Sequence, residues 1–144
     1  MSLMRVFDIT GSAMSAQSIR LNTTASNLAN ADSVNSSEGQ TYKARMPVFA
    51  ADMEDARRDM FSSAPEAVSV KVLGIVEKSE PLKMEYNPGH PLANDKGYIY
   101  KPNVNIMEEM TNMIETARAY QVMAEIADTA NKLAVKTLTI GAGG

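Results

Sequence analysis

The side chains able to do chemistry are few and scattered. His90 is the single histidine, and it lies inside Asn87-Pro88-Gly89-His90-Pro91, a turn sequence in which proline fixes φ and glycine supplies positive φ. A histidine in such a turn is expected to be structural or exposed rather than a ligand or an acid/base group. Asp52, Glu54 and Asp55 form an acidic run without the loop glycine and ligand spacing of a Ca²⁺ loop, so they read as a solvated face. Glu108 and Glu109 open a helix, where carboxylates favour the dipole. Gly141-Ala142-Gly143-Gly144 precedes no helix and is no phosphate loop. Asn22-Thr23-Thr24 and Asn35-Ser36-Ser37 match the glycosylation pattern only at chance frequency. Cysteine is absent, which removes a disulfide framework, a thiol nucleophile and a thiolate metal site. No catalytic constellation emerges, and the chain is expected to be no enzyme, with no cofactor, metal or small-molecule substrate.

The chain has 144 residues, enough for one domain of ordinary size. Charged residues are 22% and the net charge is −3, against the basic patch of a nucleic-acid binder. No apolar run reaches the roughly 20 residues needed to span a bilayer. The N-terminus lacks the form of a cleaved signal peptide, because Asp8 breaks the apolar stretch after Arg5. The 11 methionines fall largely on helix stripes, where a flexible thioether fills irregular contacts.

The elements that dominate are two terminal helices. Steps of four and three from about Asn105 to Ile140 give Ile106, Met110, Met113, Ala117, Tyr120, Ala124, Ala127, Asn131, Ala134 and Leu138, a heptad seam in which only Asn131 is neither apolar nor aromatic. A second stripe, Met123, Ile126, Ala130, Leu133, Thr137 and Ile140, asks for neighbours on more than one side. Residues 4–31 give an earlier helix with the seam Phe7, Gly11, Met14, Ser18, Leu21, Ala25 and Leu28, large and small residues alternating. From Ile9 to Ala31 the only charge is Arg20, and the other face carries Ser12, Ser15, Gln17, Asn22, Thr23, Ser26 and Asn27. A face meant for water normally carries paired charges; small uncharged polar side chains can instead be packed, provided they find hydrogen bonds. Such a helix is marginal alone, so it docks on the last helix or folds when copies assemble.

Between the helices the sequence is β-rich. Residues 32–40 have loop composition. Thr41 to Phe49 reads as a strand that Pro47 either makes an edge or interrupts. Residues 50–65 are mixed and charged, a short helix or a variable insertion. Val68 to Val76 and Leu82-Met84-Tyr86 alternate as half-buried strands, and Gly97 to Tyr100 is a last short one. Asn105 with Glu108 fits a capping box at the start of the final helix. The expected fold class is α+β, with long terminal helices pairing as a coiled-coil-like unit and a small β-rich middle. Residues 1–35 and 103–144 would form one helical assembly domain around the middle segment 36–102.

The segment Ala25-Ser26-Asn27-Leu28-Ala29-Asn30-Ala31-Asp32-Ser33 resembles the signature of bacterial flagellar axial proteins. Phe7-Asp8-Ile9, Gly11-Ser12-Ala13, Ser15-Ala16-Gln17 and Arg20-Leu21-Asn22 extend the likeness towards the C-type proximal rod subunits. So do Asn87-Pro88-Gly89-His90-Pro91-Leu92-Ala93, Lys96-Gly97-Tyr98, Pro102-Asn103-Val104-Asn105, Glu109-Met110, Arg118-Ala119-Tyr120-Gln121 and Lys136-Thr137-Leu138-Thr139. Val122-Met123 depart from the Ala-Asn common at that point in the family, and residues 50–65 match nothing in it. The resemblance implies a structural subunit of the basal-body rod, exported by the flagellar type III apparatus without a cleaved signal peptide. It further implies a periplasmic place, torque transmission from rotor ring to hook, and contacts with itself, other rod proteins, the membrane ring and its adaptor subunit. The rival readings are another axial subunit or a soluble coiled-coil adaptor of type III secretion. The residues expected at protein interfaces are the first-helix seam with Asn27 and Asn30, and Met110, Met113, Ala117, Tyr120, Ala124, Ala127, Asn131 and Leu138 of the last helix.

Overall fold

A computed structural model of the protein describes residues 3–52 and 68–141. The expected insertion at 50–65 lies outside them beyond Asp52. The order is α1 (Leu3–Ala29), a short 3-10 turn (Glu38–Gln40), β1 (Arg45–Ala51), β2 (Val70–Glu77), β3 (Lys83–Tyr86), β4 (Tyr98–Lys101) and α2 (Ile106–Gly141). Two long terminal helices with a small β middle make an α+β chain, as the periodicities predict. β1 pairs with β2 in one two-stranded sheet and β3 with β4 in another. The second sheet is antiparallel, with Met84 opposite Tyr100 and Tyr86 opposite Tyr98.

The helix ends follow local chemistry. No glycine stops α1. Instead the Asn30 side-chain amide donates to the Ser26 carbonyl at 2.8 Å, and the Ser33 hydroxyl donates to the Asn30 carbonyl at 2.8 Å. Ala31 N–H donates to the Leu28 carbonyl at 3.2 Å, tightening the last turn. The helix therefore ends at Ala29, one residue past the last seam position and two short of the expected end. At the start of α2, Asn105 Oδ1 accepts from Met107 N–H at 3.2 Å, an N-cap. The Glu108 half of the expected capping box is spent elsewhere, because its carboxylate accepts from Lys78 Nζ at 3.4 Å.

The chain divides into two compact units, and both helices contribute to each. One comprises Met1–Ile19, Val48–Gly74 and Thr116–Gly144. Within it the Ser12 hydroxyl donates to the Ile9 carbonyl at 2.9 Å and accepts from Val70 N–H at 3.1 Å, tying α1 to the start of β2. Thr10, Ala16, Thr116 and Ala130 are buried there. The other unit comprises Arg20–Pro47 and Ile75–Glu115. It buries Thr23, Thr24, Asn27, Thr41, Ala44, Ile99, Asn103, Val104 and Glu109.

Two expectations about the strands need correction. The segment 32–40 is more than a loop, since Asn35 forms an antiparallel bridge with Tyr100 on the free edge of β4, with N–H···O distances of 3.0 and 2.9 Å. And β3 is not half-buried: all four of its residues are exposed. Alternation needs a layer above one face of a sheet, and a two-stranded ribbon supplies little cover of its own.

The connection from β3 to β4 is built on Asn94. Its side-chain oxygen accepts from Lys96 N–H at 3.0 Å and Tyr98 N–H at 2.9 Å, while its own N–H donates to the Tyr98 carbonyl at 2.9 Å. Gly97 has φ +78, a left-handed conformation, and a Cβ built there would lie 2.8 Å from Tyr86 Cε2 and 3.2 Å from Pro88 Cβ. The missing side chain lets the Tyr86 ring close down on the turn and meet Tyr98 edge-to-face, with centroids 5.1 Å apart. Gly97→Ala should therefore cost about 1–3 kcal/mol, from the strained φ together with the clash. Gly39→Ala, where nothing lies within 4 Å, should be near neutral. Urea unfolding of both variants checks the contrast.

Candidate functional site

The candidate site is an assembly surface on the two helices, and its geometry starts from which face each helix turns inward. On α1 the buried residues are Thr10, Ala16, Thr23, Thr24 and Asn27. These are small and mostly polar. The hydroxyl of Thr10 donates to the Val6 carbonyl at 2.7 Å, within its own helix. A hydroxyl satisfied this way can be buried without a partner from elsewhere, and a small side chain lets a neighbouring backbone approach. The large seam residues Phe7, Met14, Leu21 and Leu28 are only half-buried, and Gly11, Ser18 and Ala25 between them are exposed. The apolar seam of α1 is thus not its most buried face.

α2 behaves alike. Glu109, Thr116 and Ala130 are buried. Met113, Ala117, Ala124 and Ala127 are half-buried; Met110, Tyr120, Asn131 and Leu138 are exposed. The second stripe is also open, with Ile126 and Leu133 exposed, and at the helix end Leu138 and Ile140 are 72% and 75% exposed. In the first unit, Leu3 and Val6 of α1 line an apolar cleft of about 420 Å³ with Val122, Ile126, Ala130 and Leu133 of α2. Among the described residues the buried hydrophobic side chains are Ala16, Ala44, Ile99, Val104 and Ala130, a core too thin for helices this long.

What holds the second unit is a set of asparagine side chains. Asn27 is 1% exposed. Its Nδ2 donates to the Arg45 carbonyl at 2.8 Å, and its Oδ1 accepts from Arg45 N–H at 2.9 Å and from the Tyr42 hydroxyl at 2.8 Å. The amide thus imitates a strand neighbour for the first residue of β1. Asn103 does the same elsewhere: Oδ1 accepts from Ala44 N–H at 2.7 Å and Nδ2 donates to the Glu80 carbonyl at 2.8 Å. Arg45 also lies 5.5 Å from the Tyr42 ring centroid and 3.6 Å from the Glu77 carboxylate. That ion pair is half-exposed and worth little. Of the expected interface residues, Asn27 and Asn30 spend their side chains inside the chain, so they bear on an interface by positioning its backbone. Sequence reasoning missed Asn35, Tyr42, Asn94 and Asn103. The available signal for Asn103 was its place between Pro102 and Val104, an amide among residues with no charge.

His90 also has a structural engagement, since its Nδ1 accepts from Leu92 N–H at 3.1 Å. Among the described residues no group of three His, Cys, Asp or Glu is placed to hold a metal ion, and no helix is long and apolar enough to cross a membrane.

Replacing Asn27 by Ala leaves the Arg45 N–H and carbonyl and the Tyr42 hydroxyl without their buried partner, so it should cost about 2–4 kcal/mol. Urea unfolding reads the loss, and amide hydrogen exchange should quicken most at Arg45.

Residues 7–35 match the family model described as flagella basal body rod protein, and residues 95–140 match that for the flagellar basal body rod FlgEFG protein C-terminal region. The chain is 45% identical to the flagellar basal-body rod protein FlgC of Escherichia coli, over 98% of this chain and 99% of that protein. Its identity to FlgC of Salmonella typhimurium is 44%, with the same coverage, and to FlgC of Buchnera aphidicola from Acyrthosiphon pisum 43%, over 97% and 98%. The buried Asn27 lies in the first matched region and Asn103, with the whole exposed seam of α2, in the second. The chain belongs to the flagellar basal-body rod protein family.

Proposed function

We propose that this chain polymerises into the proximal rod by packing the exposed seams of α1 and α2 against neighbouring rod subunits. As a member of its family it is a structural subunit of the flagellar basal-body rod. The observation that carries the packing reading is the mismatch between long apolar stripes and a thin core. Met110, Tyr120, Ile126, Leu133, Leu138 and Ile140 stand exposed on one helix. A soluble protein seldom leaves so many large apolar side chains open along one helix without a partner. Phe7, Met14, Leu21 and Leu28, with Gly11, Ser18 and Ala25 between them, supply the facing surface; Met113, Ala117, Ala124, Ala127 and Asn131 complete the other.

Contacts between unlike patches on similar subunits are heterologous, and when the rotation does not close they build a helical filament. Stiffness under torque comes from dense helix packing with few charges to hold water. The partners are other rod proteins, further copies, and the membrane ring with its adaptor. The chain reaches the periplasmic rod through the flagellar type III export apparatus. Residues 1–35 and 103–144 act as the assembly helices, and 36–102 form the lateral segment. The likeness to FlgC over nearly the whole chain supports each of these.

Leu138→Asp tests the proposal at a position that costs the free chain almost nothing. A surface change there should shift stability by no more than about 0.5 kcal/mol. Helical circular dichroism of the purified variant should match the parent, the variant should still be exported, and rods and swimming should be lost in cells that depend on it. Normal swimming would remove Leu138 and its row from the interface.

A further inference from the structure

We infer that the apolar cleft between α1 and α2 receives the free end of α2 from a second copy of this chain, with Ile140 seated in it and Lys136 paired with Glu125. The inference rests on the assembly reading above and adds which two patches meet. The cleft, of about 420 Å³, is walled by Leu3 and Val6 of α1 and by Val122, Ile126, Ala130 and Leu133 of α2. Val122, Ile126 and Leu133 are 45%, 41% and 56% exposed, so the described residues leave it open. Glu125 is its one charged lining residue.

The same chain cannot supply the occupant from its own α2. Every residue of that helix from Val135 to Gly141 is exposed. Ile140 continues the stripe of the cleft wall, since Val122, Ile126, Leu133 and Ile140 follow one another at four, seven and seven residues. The helix is unbroken from Ile106 to Gly141. Ile140 therefore stands about 10 Å of helix rise beyond Leu133 and cannot turn back into its own cleft.

Charge selects the occupant. Lys136 is the only charge between Leu133 and Gly141, and it shares a helix face with Ile140, four residues on. Neither Lys136 nor Glu125 has an ion-pair partner among the described residues, whereas Lys132 is paired with Asp128. One patch is thus apolar with a lone carboxylate, the other apolar with a lone ammonium, and every copy carries both. An exposed ion pair adds little affinity. The apolar contact carries the binding, and the charges fix where along the cleft the helix end stops. Two unlike patches engaged head to tail make a heterologous contact that passes from copy to copy.

The test uses the absence of cysteine. E125C/K136C carries only two thiols, separated within one chain by about 16 Å of helix. A disulfide spans no more than about 7 Å between Cα atoms, so any disulfide joins two molecules. Mild oxidation of basal bodies built from this variant should give disulfide-linked dimers and longer ladders of this chain, and E125C or K136C alone should give neither. A chain that stays monomeric overturns the inference, and so does a ladder that stops at dimers, which marks a closed pair. A charge exchange tests the occupant without cysteine. E125K and K136E should each cut the number of basal bodies several-fold, and E125K/K136E should restore it. A double variant as defective as the singles means that another rod protein fills the cleft, and overturns the inference. Singles that build rods normally, while Leu138→Asp still abolishes them, remove this contact and leave the assembly surface standing.

Discussion

The carboxamide of Asn27 joins the end of α1 to the first residue of β1. One side chain supplies a donor to the Arg45 carbonyl and an acceptor to its N–H, at 2.8 and 2.9 Å, and takes the Tyr42 hydroxyl as well. Only an amide of this length can present both groups side by side; Asp lacks the donor and Ser lacks the reach. Asn103 repeats the device on Ala44 and Glu80, and in the turn before β4 the side-chain oxygen of Asn94 accepts from the N–H groups of Lys96 and Tyr98. Because buried hydrogen bonds are costly to leave unmade, these amides fix strand positions that a core of Ala44, Ile99 and Val104 alone would hold weakly.

That economy leaves the helices free for another purpose. Small hydroxyl and amide residues turn inward on α1, Thr10 satisfied by its own helix and Asn27 by β1, so the chain needs few large apolar residues to organise itself. The large ones, from Phe7 to Leu28 and from Met110 to Ile140, remain half-covered or open. In a self-contained protein this would be a poor use of apolar surface. In a family of rod subunits it fits the proposed assembly surface, and the low charge of α1 would spare a packed interface the desolvation cost that Lys and Glu bring.

Much of this was legible in the sequence, and the boundary of legibility is physical. Both helices follow from their apolar periodicity, and the turn at Asn87 to Pro91 follows from its proline, glycine and asparagine content, whereas Gly97, read as the start of a strand, lies in the left-handed turn before β4. The face each helix buries was only partly legible. Apolar periodicity names the stripe that wants burial somewhere, and here the small polar line of Thr10, Thr23, Thr24 and Asn27 takes the inside. The missing charges between Ile9 and Ala31 were the sign of it. Asn35 left no pattern, and Asn103 only its uncharged neighbours, because a side chain that bonds to a distant backbone has no period along its own element. Met84 and Tyr86 alternate as in a half-buried strand, yet the two-stranded ribbon leaves both exposed. Glu108 was legible as a carboxylate in a first turn but not as the partner of Lys78, thirty residues away.

The asparagine-pinned unit should be complete in the free chain, whereas the helix seams should be completed only by other subunits. Amide hydrogen exchange on the dilute chain and on purified basal bodies measures both at once. The N–H groups of Ala44, Arg45 and Tyr98 should be protected in the free chain and change little on assembly, while those of α2 beyond Asn131 should exchange quickly when free and slowly in the rod. Equal protection of that helix end in both states would show that the chain covers its own seams, and would contradict the account.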